Sequence, residues 1–176
     1  YNIKEGVYID PEGSFGGKCA YCESNIAADQ FAGIEHYRPK SAVKNYQNQN
    51  IIVEINGSNV SHPGYYWLAY AWQNFLPTCE LCNSVTKKRT HGQRIGKGNL
   101  FPVKNFRAVV PGEETREEPL ILNPLVDDPS DHLSIDRTGL ITPVDSSEEG
   151  KVCLSVFGLN KREALVTARK EKYDEA

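Results

Sequence analysis

The sequence has no methionine, only four histidines and no long apolar run. No stretch reaches the roughly 18 consecutive apolar residues that a membrane helix requires. No basic segment followed by an apolar one opens the chain, so a signal peptide is not expected either. These absences predict a soluble, intracellular protein without a membrane span. Because the chain starts at Tyr1 and lacks Met, we expect residues to be missing at either end.

The length of 176 residues suits one domain with a real core, or a smaller core with an appended subdomain. We assign residues 1–112 to the core and residues 113–176 to C-terminal strands and a helix packed on it. A single domain over the whole length is the alternative interpretation.

Charge is segregated along the chain although the net charge is only −3. Residues 84–112 contain no Asp or Glu but seven Lys and Arg, whereas residues 113–149 contain eleven acids. A basic window of this kind is typical of a local site for a polyanion such as DNA. An ordinary surface loop rich in Lys and Arg is the alternative.

Four of the five cysteines form two matched C-x-x-C pairs, Cys19 with Cys22 and Cys79 with Cys82. Two such turns can place four thiolates around one ion, as structural zinc requires. A pair of disulfides is the rival reading, but nothing in the sequence points to secretion. We therefore predict a structural Zn²⁺ site. Cys153 lies in an alternating run and is predicted to be a small buried residue of a strand.

The remaining patterns indicate an α+β protein. Alternation and turn residues predict a short strand at Glu35 and His36 that Pro39 ends, an inserted strand at 51–55 that Asn-Gly ends, and a hairpin at 132–144 that turns at 136–139. A buried strand is also predicted at 117–124, and another strand at 151–159. Helices are predicted at 65–76, from Asn83 to Gly92, and from Asn160, as N-cap, to the end of the chain.

Several polar residues around the cysteine pairs form a recognisable order: Glu35-His36, then Asn74, then Asn83 directly after Cys82. This array resembles the HNH endonuclease family in its zinc-bearing variant, whose last histidine is replaced by Asn. The stretches "IEHYRPK", "YYWLAYAWQNFLPTCELCN", "PLILNPLVDDPSDHL" and "FGLNKREAL" extend the likeness to nearly the whole chain. They resemble the HNH nuclease subunit of Septu-type anti-phage systems, some of which are carried by retrons.

The resemblance implies a zinc-bound ββα-metal core with an appended small β-sheet and a C-terminal helix. In that fold Glu35 and Asn83 would hold a catalytic Mg²⁺ or Mn²⁺, for which their oxygen atoms are suited. His36 would act as the general base and Asn74 would bond to backbone near the site. The implied activity is hydrolysis of DNA phosphodiester bonds.

The basic residues next to this array are candidates for contacts with phosphates of the substrate. We assign this role to Lys87, Lys88, Arg89, His91, Arg38 and Lys40. The resemblance further implies an ABC-type ATPase partner in the bacterial cytoplasm, with a retron reverse transcriptase and its DNA or RNA as additional partners in some systems.

Two departures from the usual HNH pattern affect the predicted ion site. Glu35 stands where Asp is commoner, and Asn83 is a weaker, neutral ligand than His. A zinc-stabilised adaptor that binds nucleic acid or a partner without cutting it is one alternative, and an RNase that uses the same site is another. His62, in a loop, is predicted to be solvated, and "DDPSDH" at 127–132 to be an acidic turn rather than a metal site.

Overall fold

The computed structural model describes residues 15–27, 32–85 and 94–175. Within these ranges the chain is a mixture of short helices and small sheets: two-stranded antiparallel pairs, 3-10 turns and α-helices. No helix in the described ranges has the length and apolar character needed to cross a membrane.

The central pair joins β1 (Gly33–His36) to β4 (Phe75–Thr78). Glu35 lies opposite Leu76, and His36 lies opposite Phe75 at the end of the pair. The strand predicted at Glu35 and His36 is therefore confirmed. The whole of β4 is buried, and the strand pair that it forms with β1 positions the residues of the candidate site.

The insertion between these strands contains a hairpin of β2 (Ile52–Ile55) and β3 (Ser58–Ser61). Its turn residues, Asn56 and Gly57, have φ angles of 52° and 74°. Two consecutive positive φ angles are what a two-residue turn of type I′ requires, and Asn-Gly is its preferred sequence. The predicted inserted strand is confirmed, and its partner strand was not anticipated.

The predicted helix at 65–76 is wrong. The segment forms two 3-10 turns, Tyr66–Leu68 and Trp72–Asn74, and then enters β4. Tyr65 is fully buried, whereas Trp72 is 54% exposed, so the aromatic residues do not share one face. Hydrogen bonds from the Asn74 side chain and pairing with β1 replace the local helical pattern, as tertiary contacts often do.

The helix after the second cysteine pair also differs from the prediction. It is α1 (Glu80–Asn83), so Asn83 ends a helix instead of opening one. Ser84, which follows, has extended backbone angles. The rest of the predicted helix, up to Gly92, falls mostly in residues 86–93, which are outside the described ranges.

The C-terminal part begins with 3-10 turns at Glu113–Arg116 and Pro129–Asp131. It continues with the hairpin of β5 (Leu133–Ile135) and β6 (Ile141–Pro143), which confirms the prediction. After a short turn at Val144–Ser146, α2 (Glu148–Phe157) follows.

The strand predicted at 151–159 is therefore wrong. The side chain of Ser147 caps α2 by accepting a hydrogen bond from the Gly150 N–H, 3.0 Å away. Cys153, Val156 and Phe157 are buried at a spacing of three and one, which fits one face of a helix. Cys153 is buried as predicted, but on a helix.

The last helix is α3 (Glu163–Glu175), and Asn160 does not cap it. The Asn160 side chain instead accepts a hydrogen bond from the Ile141 N–H and donates one to the Ile141 carbonyl, at 2.9 and 2.7 Å. Residues 117–124 do not form the predicted strand either. They contribute a single bridge, between Pro119 and Val103, although the apolar residues there are buried.

One hydrophobic cluster contains residues from both parts of the chain, including Leu76, Phe101, Ile121 and Phe157. The Tyr37 hydroxyl donates a hydrogen bond to the Ile121 carbonyl, 2.6 Å away. Contacts therefore cross the boundary at residue 112 in the interior of the protein.

Candidate functional site

The four paired cysteines converge on one point. Their sulfur atoms all lie within 4.8 Å of one another, and the Sγ atoms of Cys22 and Cys79 are 3.7 Å apart. All five cysteines lie in the described ranges and all are free thiols. A tetrahedral ion with Zn–S bonds of about 2.3 Å needs sulfurs roughly 3.8 Å apart. The cluster could therefore hold a metal such as zinc.

Local backbone structure sets the two halves of the cluster. In the first half, Glu23, with a φ of 59°, closes a turn by donating its N–H to the Cys19 carbonyl at 2.9 Å. In the second half, Cys79 precedes α1 and its carbonyl accepts the N–H groups of Cys82 and Asn83. The turn and the helix start each direct two sulfurs to the same side.

The four thiols of the cluster differ in pKa, because hydrogen bonds among them raise the pKa of Cys19 and lower that of others. Hydrogen bonding with Cys19 lowers the pKa of the Cys22 and Cys79 thiols and raises the pKa of Cys82. The guanidinium of Arg162, just before α3, donates to the Sγ atoms of Cys82 and Cys79 at 3.3 and 3.7 Å. A cation therefore stands beside the sulfurs, where it balances negative charge.

His36 lies at the end of β1 with its ring half-buried against Phe75. Its Nε2 is 3.0 Å from the carbonyl oxygen of Ala69. A carbonyl can only accept, so Nε2 carries the proton and Nδ1 of the neutral ring keeps a lone pair. Burial lowers the pKa of His36, the Ala69 hydrogen bond opposes this shift, and the charge of Lys40 adds to it.

Asn74 connects β4 to the residues after β1. Its Oδ1 accepts the Arg38 N–H at 2.7 Å, and its Nδ2 donates to the carbonyls of Arg38 and Leu68 at 3.0 and 3.1 Å. Its own carbonyl accepts the Tyr37 N–H. Asn74 thus bonds to the backbone of the two residues that directly follow His36.

Glu35 is buried and forms an ion pair with Lys97, whose Nζ is 2.5 Å from Oε1. The Asn83 side chain lies against the same strand, because its Nδ2 is 3.1 Å from the place of a Cβ on Gly33. Side chains two apart on a strand share a face, so the Glu35 carboxylate and the Asn83 amide lie on one side of β1. His36 points to the other side. The structure therefore places these two side chains on one side of β1 and gives Glu35 a protein cation as its partner.

The predicted phosphate contacts are only partly described. Arg38 points inward, where it bonds to the Glu117 carboxylate at 2.9 Å and to the Glu114 carbonyl at 3.1 Å. Lys40 is exposed near His36. Lys87, Lys88, Arg89 and His91 lie outside the described residues.

Two further predictions concern His62 and the acidic segment. His62 is not solvated: it is 1% exposed, with Nε2 2.8 Å from the Ala108 carbonyl and Nδ1 accepting the Gly64 N–H. In the acidic segment the Asp128 side chain accepts the Ser130 N–H, as in a turn. Among the described residues the cysteine cluster alone brings three or more metal-binding side chains of Cys, His, Asp or Glu together.

The sequence analysis did not identify Lys97, which contacts Glu35, or Arg162, which contacts the cysteine cluster. Lys97 was one of seven basic residues in an acid-free window, and no local pattern marks the one that is buried. Arg162 follows Cys82 by 80 residues, so only the tertiary structure reveals their contact.

Comparison with known proteins identifies similar chains. The chain is 44% identical over 151 residues to the Septu protein PtuB of Bacillus mycoides strain KBAB4, a match that covers 85% of this chain and 45% of that protein. It is 27% identical over 153 residues to the Septu protein PtuB of Bacillus thuringiensis, covering 86% of this chain and 40% of that protein.

A third match joins the chain to the Septu protein PtuA of the same Bacillus mycoides strain, at 30% identity over 165 residues, covering 92% of this chain and 20% of PtuA. No protein-family profile and no solved structure matches. The chain is thus similar to Septu PtuB proteins over most of its own length, and it spans less than half the length of the relatives it matches.

Proposed function

We propose that this chain is the nuclease part of a Septu-type anti-phage defence protein and hydrolyses DNA phosphodiester bonds with a divalent metal ion. The similarity to Septu PtuB supports the defence role. The order of Glu35-His36, Asn74 and Asn83, with its resemblance to HNH endonucleases, supports the nuclease activity. β1, β4 and α1 would then form the ββα-metal element.

The observation that carries the proposal is the hydrogen bond between His36 and Ala69. It fixes the neutral tautomer with Nδ1 as acceptor, and the lowered pKa keeps that form populated at neutral pH. An imidazole held this way can take a proton from water, and such general-base assistance typically raises a rate by about 10²–10⁴.

The other residues of the site would bind the metal ion, position the backbone and attract the substrate. Glu35, through Oε2, and Asn83 would hold Mg²⁺ or Mn²⁺, since both offer hard oxygen ligands on one face of β1. When bound, such an ion stabilises the charge that develops on the phosphate. Asn74 holds Arg38, and with it the chain after His36, in place. Exposed Lys40 is placed to attract the phosphate backbone.

The cysteine cluster has a structural role in this proposal. Four sulfur ligands would complete a tetrahedral shell and leave no open position for a substrate, which suits structural Zn²⁺. Arg162 lies against two of these sulfurs. Zinc there would tie the first cysteine turn to α1, whose last residue is Asn83.

We further propose that the natural protein acts with an ABC-type ATPase of the same Septu system, and with a retron reverse transcriptase where the system includes one. The matches to PtuB and PtuA support a Septu complex. Lys87, Lys88, Arg89 and His91 remain proposed phosphate contacts together with Lys40.

One observation favours the alternative of a non-catalytic adaptor: Lys97 already occupies Oε1 of Glu35. An adaptor needs the cysteine cluster and a basic surface but no positioned imidazole. The two functions therefore predict different results for substitution of His36.

A plasmid-nicking assay with Mg²⁺ or Mn²⁺, in the presence and absence of the ATPase partner, tests the proposal. Wild type should nick the plasmid, His36→Ala should lose at least about a hundredfold in rate, and His132→Ala, a histidine outside the site, should cut like wild type. Full cutting by His36→Ala would refute the assignment. Competition between labelled DNA and RNA distinguishes a DNase from an RNase.

A further inference from the structure

Lys97 is a buried cation at the candidate site that the proposed mechanism leaves unexplained. Its side chain is 0% exposed, and its Nζ lies 2.5 Å from Glu35 Oε1, 2.9 Å from the His36 carbonyl and 3.3 Å from the Gly98 carbonyl. An ammonium group has three N–H donors, so these three acceptors use them all. Lys97 therefore has no donor left for a substrate.

The backbone around Lys97 places it between the two halves of the proposed ion site. Its N–H donates to the Cys82 carbonyl at 2.8 Å, and the Gly98 N–H donates to the Asn83 carbonyl at 2.7 Å. The ammonium at the other end of the same residue contacts Glu35 and the His36 backbone. One residue thus links the end of α1 to the acid and base of β1.

The neighbouring glycine makes this close approach possible. Gly96 has a φ of 94°, and a Cβ there would come within 2.1 Å of the Ser84 carbonyl oxygen. A side chain at this position would push the segment away from α1. Position 96 therefore needs a glycine, and that glycine lets the segment with Lys97 lie close to α1.

Burying a charge costs free energy unless the charge is paired and hydrogen-bonded. If this position served only to fill the interior, an apolar residue would do so without that cost. Lys97 instead takes one carboxylate oxygen of Glu35 and leaves Oε2 as the oxygen available to an ion. It also adds a positive charge next to that ion. Both effects weaken metal binding, and the first restricts Glu35 to binding through one oxygen.

We propose that Lys97 is a positioning residue of the nuclease site, which restrains Glu35 to monodentate binding of the catalytic ion and fixes the His36 backbone. The proposal rests on the proposed function. It implies that Lys97 lowers metal affinity while it raises turnover, because it holds the ion and the imidazole in their productive arrangement.

The test is Lys97→Met, whose unbranched side chain is one atom shorter than that of lysine and has neither the charge nor the donors. Without Lys97, the Glu35 carboxylate regains both oxygens and loses a neighbouring cation, so Mn²⁺ should bind about tenfold more tightly. Turnover at saturating Mn²⁺ should fall about a hundredfold, as displacements of about 1 Å do. A residue that only stabilises the fold would not move these two quantities in opposite directions.

Mn²⁺ binding is measured by electron paramagnetic resonance on protein without DNA, and turnover by plasmid nicking at saturating Mn²⁺. Lys104→Met is the matched control, because it removes a cation of the same window that pairs with Glu149 away from β1. Thermal melting checks that each variant is folded. If Lys97→Met does not fold, Lys97→Gln, whose amide retains N–H donors, takes its place with the same expected directions.

The outcomes separate the inference from the function on which it rests. Tighter Mn²⁺ binding with slower turnover supports the inference. If a folded Lys97 variant has the same Mn²⁺ affinity and turnover as wild type, the inference is overturned but the proposed nuclease function is not. The same holds if Mn²⁺ affinity and turnover both fall in the variant. A wild-type protein that neither binds Mn²⁺ nor cuts with its partner present overturns the nuclease function and the inference together.

Discussion

The side-chain amide of Asn74 bonds to both backbone groups of Arg38, accepting its N–H at 2.7 Å and donating to its carbonyl at 3.0 Å. The amide makes the two hydrogen bonds that a backbone residue of an antiparallel partner strand would make. The hydrogen-bonded pairing of β1 with β4 therefore continues past His36 through a side chain. This pairing fixes the backbone that directly follows His36, while the Ala69 carbonyl holds the imidazole itself.

Asn74→Ala should therefore destabilise the protein and reduce cutting together. Asn74 is buried and the change leaves the Arg38 N–H and two carbonyls without partners, so the free energy of unfolding should fall by about 3 kcal/mol. Urea unfolding measures the loss. Asn59→Ala, at an exposed position of β3, should stay within about 0.5 kcal/mol of wild type. A similar stability for both variants would contradict the role of Asn74.

Removal of the metal should unfold the region around the cysteine cluster. Structural zinc contributes on the order of 10 kcal/mol to small metal-tied folds, so Cys79→Ser or a strong chelator should abolish the cooperative thermal transition. The measurement is zinc content by mass spectrometry with melting by circular dichroism. Cys153→Ala, which alters the buried cysteine of α2, should keep one zinc per chain. An unchanged melt after complete loss of zinc would refute the prediction.

Arg162→Met should loosen the same cluster without removing a ligand. The guanidinium that donates to Cys82 and Cys79 is lost, so their sulfurs carry uncompensated charge. Partners of metal ligands typically change metal affinity by about 10–100-fold, and we expect release of zinc to a chromogenic chelator to speed up at least tenfold. Arg137→Met, in the β5–β6 turn, is the control. Equal release rates in the two variants would show that Arg162 does not act on the cluster.

The rate of cutting should depend on the ionisation of His36. Burial lowers its pKa below the ordinary value of 6.5, so the neutral base, and with it kcat/KM, should persist to more acidic pH than for an exposed histidine. Lys40 also lowers this pKa, so Lys40→Gln should move the acidic limb of the profile to higher pH. Lys151→Gln, on α2, should leave the limb in place. A shift in the opposite direction would contradict the assignment of His36 as base.

The parts of the site that the sequence predicted are those encoded by short patterns. The two C-x-x-C pairs predicted one cysteine cluster because the spacing alone determines how neighbouring thiols can converge. The strand with Glu35 and His36, and the Asn-Gly turn of the insertion, follow from alternation and turn chemistry within a few residues. These features do not depend on distant contacts.

Longer segments were predicted less well because distant contacts decide them. The alternation at 151–159 resembled a strand, but the Ser147 cap and burial of Cys153 and Phe157 on one face select α2. The aromatic segment at 65–76 has helical spacing, yet Asn74 and the pairing of β4 with β1 divide it. The contacts of Lys97 and Arg162 depend on how the whole chain folds.

The Asn-Gly tip of the β2–β3 hairpin gives the protein a convenient point of attachment. Both strands present mostly exposed residues, and within the described part of the chain the turn residues Asn56 and Gly57 bond to nothing outside the hairpin. A fluorophore or an affinity peptide spliced between them would leave the sulfurs, the imidazole and the Asn74 amide untouched. The hairpin is thus a suitable attachment point for following the protein one molecule at a time.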